Sequence, residues 1–262
     1  MLKATRLISP RLNLPIRIDF IGGWTDQLCW KGPAAVCNGS FECELPENTL
    51  QNPGTGLGIS SILYAAEWIG ENPDKLRDHH GYTQAALDAE ASSCVQGGWQ
   101  DAIGAIAPGL KLVTRGPYFE RRDDHPILDR LVLFDSGIRR NSGVIGDKVR
   151  ALVEASGEFR EHLEITANHA RVFFNSKSAE EAAGLALAAW VRFCRFVPEM
   201  EPRAFPFQMH DVIGWKMCGA GGGGFGVAFC QEPEARQRTV DHLKGWGIWS
   251  AIPTLAQGAF FE

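Results

Sequence analysis

The chain has 262 residues, a net charge of −5, and a composition that is 45% hydrophobic and 22% charged. This balance supports a real core in one large domain or two small ones sharing a cleft, and it gives no reason to expect nucleic acid or an acidic membrane surface as a partner. No apolar run reaches the roughly 18 residues that span a bilayer, and residues 1–14 lack the continuous apolar segment of a secretory signal, so a cytoplasmic protein is expected.

Residues 14–21 (LPIRIDFI) alternate apolar and polar side chains after a proline, the pattern of a half-buried strand, and run into the turn Gly22-Gly23. Residues 33–41 read as a second short strand. A turn-rich stretch, Glu44 to Gly58, leads to a buried helix over 60–69 and a further helix over 82–92, which Gly97-Gly98 ends. Residues 110–114 and 130–135 are predicted strands, and 144–174 has the 3.6-residue period of long helices. Ser178 opens the next helix with a capping box. Its hydroxyl accepts from the amide near Glu181, and the Glu181 carboxylate reaches back. Residues 224–230 form a strand after a glycine run, 232–245 an amphipathic helix, and a short strand closes the chain. The alternation predicts an α+β protein with two lobes, 1–135 and 136–262, meeting near residues 130–145.

The seven cysteines are scattered, odd in number and contain no C-x-x-C pair, so buried reduced thiols are expected rather than disulfides or a zinc site. His79 and His80 are adjacent and do not share a helix face, which gives a metal role little support.

Three glycine-rich segments stand out: RIDFIGGWTD (17–26), PGTGLGISS (53–61) and GAGGGGF (219–225). In the second, glycines let the backbone approach a ligand closely. A helix then begins whose first-turn amides are unpaired and carry partial positive charge, which suits a phosphate. A plain capped helix after a glycine loop fits the residues equally well. The segment is not a Walker A loop, since no G-x-x-x-x-G-K-[ST] occurs, nor a dinucleotide fingerprint, since no strand feeds it. The third segment has four consecutive glycines, whose ordering entropy calls for a reason such as a tight loop packed beside a ligand or another backbone. In QGGWQDAIG (96–104), Asp101 stands between glycine pivots in a predicted loop, a setting that suits a site carboxylate or an ordinary surface turn.

Taken together and in this order, the segments resemble the GHMP superfamily of kinases, nearest the L-fucose kinase branch and the bacterial heptose-phosphate kinases. RIDFIGGWTD resembles the first motif of that branch, GTGLGISSIL its phosphate loop, GGWQDAIG its catalytic-aspartate segment and KMCGAGGGGF its third motif. LFDSGIRRNS resembles the strand and turn between them. The resemblance implies a two-lobe α+β fold with ATP, Mg²⁺ and a small-molecule sugar in the cleft. By position, Asp101 would be the base, and Arg17 would support the attacking oxygen and the transferring phosphoryl group. Asp26 would bind sugar hydroxyls, with Gly23, Trp24 and Gly98 around it. Gly54, Gly56, Leu57, Gly58, Ser60 and Ser61 would wrap the phosphates, Ser60 and Glu90 would hold magnesium, and Gly221, Gly222 and Gly223 would brace the nucleotide side.

The chain departs from the pattern in three ways, one being Cys29 and Trp30 near where prolines commonly follow the first motif. Ile59 stands where the family has Ser or Thr, and only 27 residues separate Asp26 from Gly54, so a shortened N-terminal lobe is expected. A sugar kinase acting on a fucose-like hexose or heptose phosphate, through the anomeric hydroxyl, is the leading expectation. The alternative is a catalytically impaired relative that binds nucleotide or sugar.

Overall fold

The computed structural model describes residues 15–27, 29–46, 49, 54–59, 81, 84, 88, 98–115, 118–202 and 211–256. In its first strand, β1 (Ile16–Ile21), every residue is buried, so both faces are covered. The alternation sorts the side chains. Ile16, Ile18 and Phe20 enter the main core, and Arg17 and Asp19, on the opposite face, serve the site described below. β1 pairs antiparallel with β2 (Ala35–Glu42), with a bulge between Asp19 and Ile21. β2 pairs in turn with β3 (Leu110–Thr114), and β3 with the edge strand β4 (Tyr118–Arg121). A short helix, α1 (Gln100–Ile106), packs against β1 and β2.

The second sheet is also antiparallel. It contains β5 (Leu131–Asp135), β6 (Val212–Met217), β7 (Phe225–Cys230) and β8 (Ser250–Ala251), in the order β6-β7-β5-β8. Between β5 and β6 come α2 (Ser142–Ala155), α3 (Gly157–Asn175) and α4 (Ala179–Phe196), and α5 (Ala235–Gly245) follows β7. Alternation along β5 divides the core. Leu131 and Leu133 join the cluster that holds Phe20, Phe173 and Phe229, while Val132 and Phe134 join a second cluster with Ile145, Phe159 and Leu243. The two-residue strand β9 (Thr254–Leu255) returns to pair with β2 of the first sheet.

The helical period over 144–174 resolves into two helices, broken at Ser156, whose side chain caps α3 by accepting from Phe159 N at 3.1 Å. Half of the expected capping box forms. Ser178 Oγ accepts from Glu181 N at 3.2 Å, while its hydroxyl donates to the Glu180 carboxylate (2.7 Å), a side-chain contact different from the expected return bond of Glu181 to the Ser178 backbone amide. Strands β4 and β6 lack a counterpart in the sequence reading because neither carries a continuous buried run. Strand pairing also crosses a division at residue 135, since β5 bonds to β7 and β8, and β9 to β2. The helices expected over 60–69 and 82–92 lie outside the described residues. Among those described, no helix is long and apolar enough to cross a membrane.

Candidate active site

Asp101 lies in the first turn of α1, not in a loop as its flanking glycines suggested. Gly104 belongs to the helix itself, where a Cβ would sit 2.4 Å from Arg17 Cγ and 2.8 Å from Asn38 Nδ2, so helix and sheet meet there. Side chains of β2 seat the helix. Asn38 Nδ2 donates to the Gln100 carbonyl (3.2 Å) and to Gln100 Oε1 (3.1 Å). Ser40 Oγ lies 2.8 Å from both the Gly104 and Ala107 carbonyls. Buried Lys111 donates to the Ala107 and Gly109 carbonyls, and burial lowers its pKa well below that of a free lysine.

From β1, Arg17 reaches Asp101 and forms an ion pair with it. The arginine side chain is 1% exposed and the aspartate 27%, so the carboxylate is the more exposed partner of the pair. Gln100 Nε2 also donates to Asp101 Oδ1. Burial raises the Asp101 pKa and the Arg17 charge opposes that rise, with Asp19 adding to it. Burial alone would lower the Arg17 pKa, but Asp101 and Asp19 carry it above the ordinary value.

The glycine loop meets this pair. Arg17 N donates to the Leu57 carbonyl at 3.3 Å, and the Cβ position of Gly58 lies 3.4 Å from Arg17 Nε and 3.5 Å from Asp101 Cβ. The third glycine segment holds the loop from the far side through the bond from Phe225 N to the Thr55 carbonyl, 2.8 Å. Here the chemistry of glycine is required. Gly56 (φ 84°) and Gly224 (φ 76°) adopt left-handed backbone, and a Cβ would fall 2.4 Å from the Cys218 carbonyl oxygen at the first and 2.4 Å from that of Thr55 at the second. Gly221, Gly222 and Gly223 abut Trp190, the Glu199 carbonyl and Ile138, so their Cβ directions meet neighbouring chain behind the loop. A Cβ on Gly54 would fall 2.6 Å from the Arg140 carbonyl oxygen. Leu57 and Ile59 are buried in the main core, which accounts for the apolar residue where the resembled family has a hydroxyl.

Asp26 completes the opposite wall. Its Oδ2 accepts from Gln100 N at 3.2 Å, and a Cβ on Gly98 would stand 1.7 Å from that oxygen, so only glycine fits there. Burial, and then the nearby charge of Asp101, push the Asp26 pKa up to about 7. Thr25 fixes the turn by donating to the Gly22 carbonyl (2.7 Å). Trp24 has φ 75°, a strained conformation for a bulky residue. With Gly23 it lines a small cavity beside Asp19, Thr166 and Lys216. Lys216 donates to the Asp19 carbonyl (2.6 Å) and pairs with its carboxylate (3.4 Å).

Several buried polar atoms lack a partner among the described residues: Arg17 Nε and Nη1, Asp19 Oδ1 and Asp26 Oδ1. Donors on one side and an acceptor on the other, beside a glycine cradle, fit a phosphate ester and a hydroxylated acceptor. Ser60, Ser61 and Glu90, the expected phosphate and magnesium contacts, lie outside the described residues. Among the described residues no cluster of three or more His, Cys, Asp or Glu could hold a metal, and the six described cysteines are free thiols. The sequence reading missed Asn38, Gln100, Lys216 and Arg140. A polar residue inside an apolar strand, as at Asn38 and Lys216, was the available signal.

No protein-family model matches the chain. Over 223 residues, 73% of its length, it is 27% identical to a bifunctional fucokinase/GDP-fucose pyrophosphorylase of Arabidopsis thaliana, of which it spans 20%. It is 25% identical over 215 residues (71% of its length) to an L-fucokinase/L-fucose-1-P guanylyltransferase of Bacteroides fragilis and spans 22% of that protein. The chain thus covers about a fifth of these curated relatives. Among solved structures, Lactococcus lactis galactokinase in complex with galactose superposes with a TM-score of 0.64 at 13% identity, over 94% of this chain and 93% of that one. That likeness concerns the fold alone.

Proposed function

We propose that this chain, a member of the GHMP kinase superfamily by motif order and by its two-lobe α+β fold with a shortened N-terminal lobe, is a sugar kinase that moves the γ-phosphoryl group of ATP to a monosaccharide hydroxyl. The observation that carries the reading is the meeting of the Gly54–Gly58 loop with the Arg17–Asp101 pair, where the Gly58 Cβ position lies 3.5 Å from Asp101 Cβ. Fucokinase relatives support a fucose-like acceptor and its anomeric hydroxyl.

Asp101 takes the proton of the acceptor hydroxyl as the oxygen attacks phosphorus. Its elevated proton affinity suits a base, and Arg17 fixes its orientation. ATP supplies the phosphoryl group: the new O–P bond forms as the bridging P–O bond breaks, and the electron pair leaves on ADP. Arg17, through the Nε and Nη1 donors left over from its ion pair, stabilises charge on the transferring group. Asp26 Oδ1 accepts from a sugar hydroxyl, while Gly23, Trp24 and Gly98 shape that wall. Gly54, Gly56, Leu57, Gly58, Ser60 and Ser61 cradle the phosphates, with Gly221, Gly222 and Gly223 behind them. Magnesium, held by Ser60 and Glu90, would neutralise phosphate charge.

A coupled ADP assay across a panel of monosaccharides, with Asp101→Asn alongside, tests the reading. We expect magnesium-dependent ADP release with at least one sugar and a loss of about 10²-fold or more in the variant, the usual weight of a general base. A folded protein that turns over none of the panel contradicts it. The compact segment between Asp26 and Gly54 favours one rival, a binding protein without turnover. That rival predicts ligand binding with ADP production equal in wild type and Asp101→Asn.

A further inference from the structure

Arg140 follows β5 in the turn before α2, and the site as described gives it no role. Its side chain runs along the phosphate loop. Cγ lies 3.8 Å from the Cβ position of Gly54, and Nη2 lies 3.2 Å from that of Gly56 and 3.4 Å from that of Gly219. The guanidinium therefore sits at the notch where the second and third glycine segments meet. Two bonds fix its plane: Nε donates to the Gly223 carbonyl (3.3 Å) and Nη1 to Ser142 Oγ (2.7 Å). Both partners are neutral. Asp101 pairs with Arg17 and Asp19 with Lys216, and among the described residues Arg140 makes no ion pair.

A mostly desolvated cation whose direct partners are neutral, with the Asp101 carboxylate near but already bonded to Arg17, is costly unless an anion completes it. Burial and the nearby Arg17 charge lower the Arg140 pKa to about 10, which still leaves it charged at neutral pH. Arg17 and Arg140 repel beside one glycine loop, the single Asp101 carboxylate offsets only part of their joint charge, and a polyanion relieves both.

Resting on the kinase reading, we infer that Arg140 is a second phosphate-contacting cation of this site, clamping the polyphosphate tail of the nucleotide at the Gly54–Gly56 end of the loop while Arg17 serves the Gly58 end. The planar fork held by Gly223 and Ser142 presents Nη2 as the remaining donor group, and the glycines give it backbone without side chains to approach. This division of labour separates nucleotide capture at Arg140 from chemistry at Arg17 and Asp101.

Calorimetric titration of the intact chain with inorganic tripolyphosphate, on wild type, Arg140→Gln and Arg140→Lys, tests the inference. Arg140→Gln should weaken tripolyphosphate binding by about tenfold to a hundredfold, the worth of one charge-assisted pair, and raise the KM for ATP by a similar factor with a smaller effect on kcat. Arg140→Lys keeps the charge but loses the fork, so it should recover part of that loss. If the arginine merely braces the loop through Gly223 and Ser142, Arg140→Lys will lose as much as Arg140→Gln, and the inference falls. Wild-type binding of tripolyphosphate with an unchanged Arg140→Gln also overturns the inference and leaves the kinase reading standing. A wild type that binds neither tripolyphosphate nor ATP removes both.

Discussion

Asp26, buried, and Asp101, partly exposed, are carboxylates of one candidate site with different counterparts, and their titration follows from that difference. Asp101 has Arg17 against it, whereas Asp26 has a backbone amide and a repelling Asp101, which together with burial brings its pKa to about 7. The native state thus holds a proton on Asp26 over a range where the unfolded chain, near pKa 3.8, has lost it. Because the folded state binds more protons there, the contribution of Asp26 to stability falls as pH rises from about 4 to about 7, by at most about 1.4 kcal/mol per pH unit, and levels off above. Asp26→Asn keeps an oxygen for Gln100 N and removes the ionisation. Thermal unfolding at a series of pH values should show the wild type losing stability relative to Asp26→Asn between pH 4 and 7, and parallel curves would contradict this. At this scale the residues within glycine-rich segments were legible, because motif order singled out Arg17, Asp26 and Asp101. Asn38, Lys216 and Arg140 were not, since their roles arise from strands and turns that meet only in the folded chain.

Among the elements, the glycine segments show what a run of flexible residues is for. Loop 54–58 and segment 218–225 approach backbone to backbone, and the main-chain bond from Phe225 to Thr55 joins them. Gly224→Ala would add a Cβ to left-handed backbone 2.4 Å from a carbonyl oxygen and should destabilise by at least about 2 kcal/mol. Gly184 is the contrast: it lies mid-α4 with nothing within 4 Å of its Cβ position, so Gly184→Ala should stabilise by about 0.5–1 kcal/mol. Chemical denaturation of the two variants checks both signs, and a tolerated Gly224→Ala would show that the two loops do not meet as described. That the four-glycine run is a tight loop packed beside a ligand or another backbone was readable from its entropy cost and apolar flanks, and the structure shows the backbone neighbours. The placement of Asp101 on a helix was not, because Gly98 and Gly104 read as loop pivots until their neighbours, Asp26 on one side and Arg17 with Asn38 on the other, are known.

Across the whole molecule, two antiparallel sheets share a core, and the strands that bear the site residues lie in both. Arg17 comes from β1 in the first sheet and its loop is held by Phe225 of β7 in the second, so the site depends on the sheets staying together. The return of β9 to β2 ties the two further, with Ala256 N donating to the Ser40 carbonyl at 2.9 Å. The α+β class and the order of most elements followed from period and punctuation. The pairing order did not, because a two-residue strand such as β9 carries too little pattern to reveal its partner. The central claim is that loop 54–58 and Asp101 frame one phosphoryl-transfer site. Incubation with γ-labelled ATP and a panel of sugars containing L-fucose tests it most directly, with products separated into sugar phosphate and inorganic phosphate. The account predicts label on a sugar with wild type and none above background with Asp101→Asn, which still binds ATP. Label released only as inorganic phosphate, or equal sugar labelling by both proteins, would contradict it.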